Sequence, residues 1–138
     1  MATDYQIPAM VIDVSNKMVL EKFKAQGYPI DDRMIAAIEN YPLPKLDYFY
    51  SVPTGKTYEE KCENFFHLLD NCQPGLTEII FHPSEQTENL KSITNSWQQR
   101  VWEAQMFSDP KIIESLKARK IIFTNWIEIM DRFKKIKE

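Results

Sequence analysis

The sequence is poor in the residues that cross-link a fold or hold a metal, with two cysteines and two histidines among 138 residues. Cys62 and Cys72 are expected on one helix, where a rise of about 1.5 Å per residue puts their α-carbons about 15 Å apart. A disulfide tolerates less than about 7 Å, so they cannot bridge each other and read as small core residues. No apolar run approaches the roughly 20 residues of a membrane span, and the amino terminus lacks the apolar core of a signal peptide. A net charge of −3 offers no broad surface for nucleic acid. The basic cluster Lys134, Lys135 and Lys137 falls in the last turn of an expected helix, where cations stabilise the terminus. There is no internal repeat and no low-complexity segment. These absences describe a cytoplasmic protein without nucleic-acid or membrane partners.

What is present is an ordinary globular composition, 43% hydrophobic and 27% charged, at a length that fits one domain over residues 1–138. Strand-like and helix-like segments alternate. Pro8 to Val14 reads as a short apolar strand, followed by Ser15 as N-cap of a helix to about Ala25, which Gln26-Gly27-Tyr28-Pro29 ends. Asp31 or Asp32 caps a second short helix through Glu39. Tyr41-Pro42-Leu43-Pro44 forbids regular structure, and the aromatic-rich segment Leu46 to Val52 reads as a strand.

The clearest element comes next. Thr57 and Glu60 form a capping box, and Tyr58, Cys62, Phe65, Phe66, Leu69 and Cys72 recur at three- and four-residue spacing as one apolar stripe. Glu59, Lys61, Glu63, Asn64 and Asp70 are assigned to solvated faces. His67 and Asp70 share a spacing that could hold a metal, but no third ligand is near, so a solvent-exposed pair is expected.

Pro74-Gly75 introduces Leu76 to Pro83, an apolar run that ends on His82 and is stopped by a proline. Its β-branched and aromatic content argues for a buried parallel strand. In α/β folds the carboxyl ends of such strands carry the chemistry, which puts His82 at a catalytic rim. The polar stretch Ser84 to Ser96 is long for a simple connection and reads as a binding loop. Ser96 and Gln99 form another capping box for a helix through about Met106, with Trp97, Val101 and Ala104 on one face and Trp102 and Met106 on another. Asp109-Pro110 caps a helix to about Arg119, Ile121 to Thr124 reads as a last strand, and Asn125 with Glu128 caps a terminal helix. The order strand, helix, strand predicts βαβ units, an α/β fold of parallel strands alternating with helices. Three or four such strands make about half of a barrel that usually takes roughly 250 residues.

The segments Pro74 to Pro83, Arg100-Val101-Trp102-Glu103, Asp109-Pro110 with its helix, and Ile121 to Trp126, in this order and spacing, resemble the carboxy-terminal half of the YdjC-like carbohydrate deacetylases, also called the ChbG/HpnK family. The resemblance runs from Tyr41 to Phe133, and the upstream stretch with Ile7-Pro8 and Gly27-Tyr28-Pro29 is compatible with the middle of such a protein. It implies a (β/α) barrel-like hydrolase that removes the acetyl group of an N-acetylated amino sugar with a divalent metal, Mg or Zn. It also implies that the metal binds through an Asp-Asp pair after the first strand and a later His-containing motif, both belonging to the amino-terminal half. Neither motif is found here, and the chain starts at Met1-Ala2-Thr3-Asp4. The expectation is therefore a partial barrel with no metal site and no cofactor of its own, inactive alone.

On this reading His82 is the candidate catalytic residue, stabilising the oxyanion or protonating the leaving amine. Arg100, Glu85 and Glu88 are candidate sugar-binding residues, each weighed against a plainer role: an ion-pair partner for Arg100, solvated loop charge for the glutamates, an anchor of the following loop for His82. Two other readings stay open: an interaction domain whose exposed sheet edge pairs with another copy or with a separate subunit carrying the metal half, and a small-molecule-binding α/β domain with no catalytic metal and the loop after His82 as its lid. A homo-oligomer is expected in either case.

Overall fold

The computed structural model describes residues 2–15, 17–25 and 27–137, with Lys137 described by its backbone alone. Backbone contacts divide the chain into two compact units, one of Met1–Phe49, Gly75–Glu78 and Phe123–Glu138, the other of Tyr50–Pro74 and Ile79–Ile122.

The first unit holds helices α1 (Ala2–Tyr5), α2 (Lys17–Ala25), α3 (Asp32–Glu39) and α8 (Trp126–Lys137). Asp31 caps α3, its carboxylate accepting from the Met34 N–H at 2.8 Å. Asn125 does the same for Glu128 at 3.0 Å at the start of α8. The strand expected over Pro8 to Val14 is reduced to a single parallel bridge between Ile12 and Leu46. Leu46 N–H donates to Val11 O and Asp13 N–H to Leu46 O, after which the Asp13 carboxylate accepts from Ser15 N–H and turns the chain. That backbone bond holds the Asp13 carboxyl below the usual carboxylate range. Pro8 has no N–H to offer a ladder, and Leu46 is the one ladder partner the segment meets among the described residues. Gln26, expected in the stop of α2, lies outside the described residues; Gly27 beyond it takes a positive φ of 82°, as a helix stop requires.

The second unit holds α4 (Tyr58–Asp70), α5 (Glu88–Ile93), α6 (Trp97–Ser108) and α7 (Pro110–Ala118). Helix α6 packs on α4, α5 and α7. Val52, Phe65, Met106, Ile112 and Leu116 form its core, with Tyr58, Cys62, Phe66, Leu69, Ile79, Phe107 and Ile121 packed around them. The expected stripe of α4 thus faces this core. Cys72 falls just beyond the end of α4 rather than on it. Burial pushes both thiols up, away from the reactive thiolate.

The strands β1 (Tyr48–Ser51) and β2 (Thr77–Ile80) form a two-stranded sheet. Tyr48 N–H donates to Leu76 O at 3.2 Å and Val52 N–H to Ile80 O at 3.0 Å, so position rises along both strands together and the pair is parallel. Gly75 ahead of β2 has φ 152°, and a Cβ there would lie 2.9 Å from the Asp47 side chain. Asp47 needs that space because its Oδ2 accepts from Leu76 N–H at 2.7 Å, fixing where β2 begins. The chain is α/β in the broad sense: helices mixed with a parallel strand pair. Ile121 to Thr124 forms no strand. After the positive φ of Lys120, Ile121 packs on the core while Ile122 to Thr124 are exposed, and among the described residues the segment meets no strand to pair with.

Candidate functional site

Both strands end within the second unit, and a buried polar cluster stands where they end. Lys61 of α4 is fully buried, and its Nζ donates to Pro53 O at 2.9 Å, to Gln99 Oε1 at 3.2 Å and to Glu103 Oε1 at 3.1 Å. Its three protons thus meet three acceptors. Glu103 of α6 is 6% exposed, and its second oxygen, Oε2, accepts from the His82 backbone N–H. One carboxylate therefore ties His82, two residues past β2, to the lysine that holds Pro53, two residues past β1.

The segment from Pro53 to Lys56 is fixed almost wholly by side chains. Gln99 accepts from Gly55 N–H at 3.2 Å and donates to Gly55 O at 2.7 Å. Asn64 donates to Thr54 O at 2.9 Å, and Glu60 accepts from Lys56 N–H at 2.7 Å. Thr57 caps α4 by accepting from Glu60 N–H at 3.2 Å, so the expected capping box forms with Glu60 reaching one residue further back. Gly55 is required sterically: an added Cβ would meet the Lys61 backbone N at 2.4 Å.

His82 is exposed and lies two residues past the end of β2. Among the described residues, its hydrogen bonds run through the backbone: the N–H to Glu103, and the carbonyl, which accepts from Ser84 Oγ at 3.5 Å. Phe81 before it packs on Phe107 of α6 with ring centroids 4.4 Å apart. Pro83 after it disfavours helical backbone at His82. Ser84 N–H then donates to Arg100 O at 3.1 Å, which seats the start of the next loop on α6.

Of the other residues singled out from sequence, Arg100 is half-buried on α6, beside the His82 segment through that carbonyl. Its guanidinium enters no ion pair among the described residues. Glu85 is exposed. Glu88 is exposed at the start of α5 and paired with Lys91 at 2.7 Å; Lys91 in turn lies over the Trp97 ring at 5.3 Å. The loop from Ser84 to Ser96 is thus interrupted by a helix that Thr87 caps, accepting from Leu90 N–H. His67 and Asp70 are exposed on α4, as expected, and Asp70 is held by Arg119 at 2.7 Å, which lowers its carboxyl from the usual range.

Three members of the cluster were hidden from sequence reasoning. The sequence pattern suggests a solvated face for Lys61, yet it lies three residues after Tyr58 and four before Phe65, inside the stripe's own arc; a lysine at such a position is the available signal. The expected capping box of Ser96 and Gln99 does not form: Ser96 makes no side-chain cap, and Gln99 serves Gly55 instead. Glu103 lies three residues before the fully buried Met106, on the covered side of α6.

These features define a mixed α/β chain whose polar cluster sits at the carboxyl ends of a parallel strand pair, where proteins of this class bind and transform small molecules. The family model for YdjC-like proteins matches residues 1–118, and the chain belongs to that family, which is one of carbohydrate-deacetylase-like proteins. The matched residues reach upstream to the start of the chain and stop before Ile121 to Trp126, so that segment's likeness lies outside them. No curated protein and no solved structure matches the chain. Among the described residues no three His, Cys, Asp or Glu side chains lie together as metal ligands do. Among them, too, no helix is long and apolar enough to cross a membrane.

Proposed function

We propose that the chain forms the sugar-facing, leaving-group side of a deacetylase acting on an N-acetylated amino sugar, the metal being held by residues outside this chain, and that it is inactive alone. The observation that carries this reading is an exposed imidazole just past a parallel strand, on a backbone tied to a buried carboxylate, in a member of a carbohydrate-deacetylase-like family. Hydrolysis of the amide adds water to the acetyl carbon and breaks the C–N bond, releasing acetate and a free amine. The nitrogen needs a proton as it departs, and His82 is the group suited to deliver it, or to stabilise the oxyanion that precedes departure. Arg100, half-buried and joined through its carbonyl to Ser84, is suited to sugar or carboxylate oxygens, and Glu85 to sugar hydroxyls; Glu88 is already engaged by Lys91.

The test is a titration of the isotope-labelled chain with an N-acetylated amino sugar, with acetate release followed alongside, with and without Mg or Zn. We expect amide shifts at His82, Ser84 and Arg100 and no acetate. A spectrum unmoved by millimolar sugar defeats the sugar-binding reading, and metal-stimulated acetate release defeats the claim of inactivity.

A second reading has one observation in its favour. In the first unit an apolar groove of about 310 Å³ is lined by Met10, Ile12, Leu20, Phe23, Tyr28 and Met34 among others. It suits a chain that binds an apolar molecule or self-associates without catalysis. Light scattering reads the homo-oligomer we expect on either account, and a strict monomer contradicts it.

A further inference from the structure

We propose that Glu103 is the positioning residue of His82, and that Lys61 holds Glu103 in the posture that does it. The inference rests on the reading of His82 as the group that serves the leaving amine, and deepens it.

Strand β2 ends at Ile80, so the N–H of His82 has no ladder partner and must find another acceptor. Glu103 Oε2 is that acceptor. The carboxylate cannot turn away, because its other oxygen is bound to Lys61 Nζ at 3.1 Å and Lys61 is itself saturated by Pro53 O and Gln99 Oε1. Below the backbone bond, Phe81 is packed on Phe107; above it, Pro83 restricts the His82 backbone. The residue is therefore fixed on both sides while its ring stays exposed. A buried ion pair is a poor stabiliser compared with apolar side chains of the same volume. What this one supplies is direction: one oxygen is aimed at the segment after β2, the other at the lysine that holds Pro53 O in the segment after β1.

Two double variants separate positioning from mere charge balance. Lys61→Met/Glu103→Gln and Lys61→Met/Glu103→Leu both remove the ion pair, but only glutamine keeps an oxygen for the His82 N–H. We expect the glutamine double variant to keep the His82 amide protected and rigid. In the leucine double variant, His82 amide exchange should accelerate by at least about tenfold, as loss of a charge-assisted bond implies, and its order parameter should fall from about 0.85 toward 0.6. The amides of Phe65 and His67 serve as unmoved references. If His82 is unchanged in the folded leucine variant, or changes equally in both, the proposal is overturned. Should the leucine variant fail to fold, Glu103→Gln alone decides. The His82 amide proton must move upfield as its acceptor loses charge, and an unmoved resonance overturns the proposal. Adding N-acetylglucosamine to the wild-type sample tests the functional reading separately: no response there removes the sugar, while the exchange result still stands or falls by itself.

Discussion

Lys61 Nζ and Glu103 Oε1 lie 3.1 Å apart, between a lysine side chain with no solvent exposure and a carboxylate with 8%. Removing one partner strands the other charge in the interior. Lys61→Met is expected to cost about 3–5 kcal/mol, and the double variant Lys61→Met/Glu103→Leu to recover most of that loss. Urea unfolding of the two proteins checks it; equal losses would show that the pair is not coupled.

Gly55 admits no side chain, since a methyl group would press on the backbone of Lys61 and on Thr57 O at 2.8 Å. Relief requires moving the first turn of α4 or breaking the two hydrogen bonds to Gln99. Gly55→Ala should lower stability by about 1–3 kcal/mol, as overpacking does. Thermal unfolding measures this, and an unchanged midpoint would mean that the loop yields freely.

Among the described residues the buried Tyr58 hydroxyl has no partner of normal hydrogen-bond geometry, though the Cys62 thiol stands close enough to matter. Burial first, and Cys62 second, push its phenol from the ordinary 10.0 up to about 12. The folded state keeps the proton longer than the unfolded state does. Stability should therefore hold below pH 10 and decline as the pH rises from there toward 12. Tyr58→Phe should abolish that decline and leave neutral-pH stability unchanged or raised by about 1 kcal/mol. Denaturation at several alkaline pH values tests both parts; a phenylalanine variant with the same alkaline slope refutes the assignment.

His82→Ala removes an exposed ring and leaves the backbone bond to Glu103 in place. In a form of the protein competent for deacetylation, we expect turnover on an N-acetylated amino sugar to fall at least about tenfold, with stability within about 0.5 kcal/mol of the parent. Steady-state acetate release reports the first and urea unfolding the second. An unaltered rate takes His82 out of the mechanism.

Local chemistry was legible wherever it stayed local. The caps at Asp31, Thr57, Asp109 and Asn125 each form with a backbone N–H two or three residues on. The stripe of α4 is set by helical spacing and found its core. The fit failed where a side chain answers to something distant in sequence. Gln99 left a capping role to pair with Gly55, and Lys61 went inward because Glu103 and Pro53 O could receive it. Two apolar runs, Pro8 to Val14 and Ile121 to Thr124, have strand composition, but a strand exists only where a neighbour offers its edge. The position of His82 past β2 was readable from Pro74-Gly75 and Pro83, whereas the carboxylate beneath it was not.

The two-way bond between Gln99 and Gly55 makes a side-chain amide act as a neighbouring peptide would. A turn clasped in this manner already has its shape in the folded chain, so a guest arriving beside it meets a ready-made wall. Little disorder remains there to be surrendered at the moment of encounter, and the affinity of such a guest would depend on the groups it touches rather than on teaching the turn its shape.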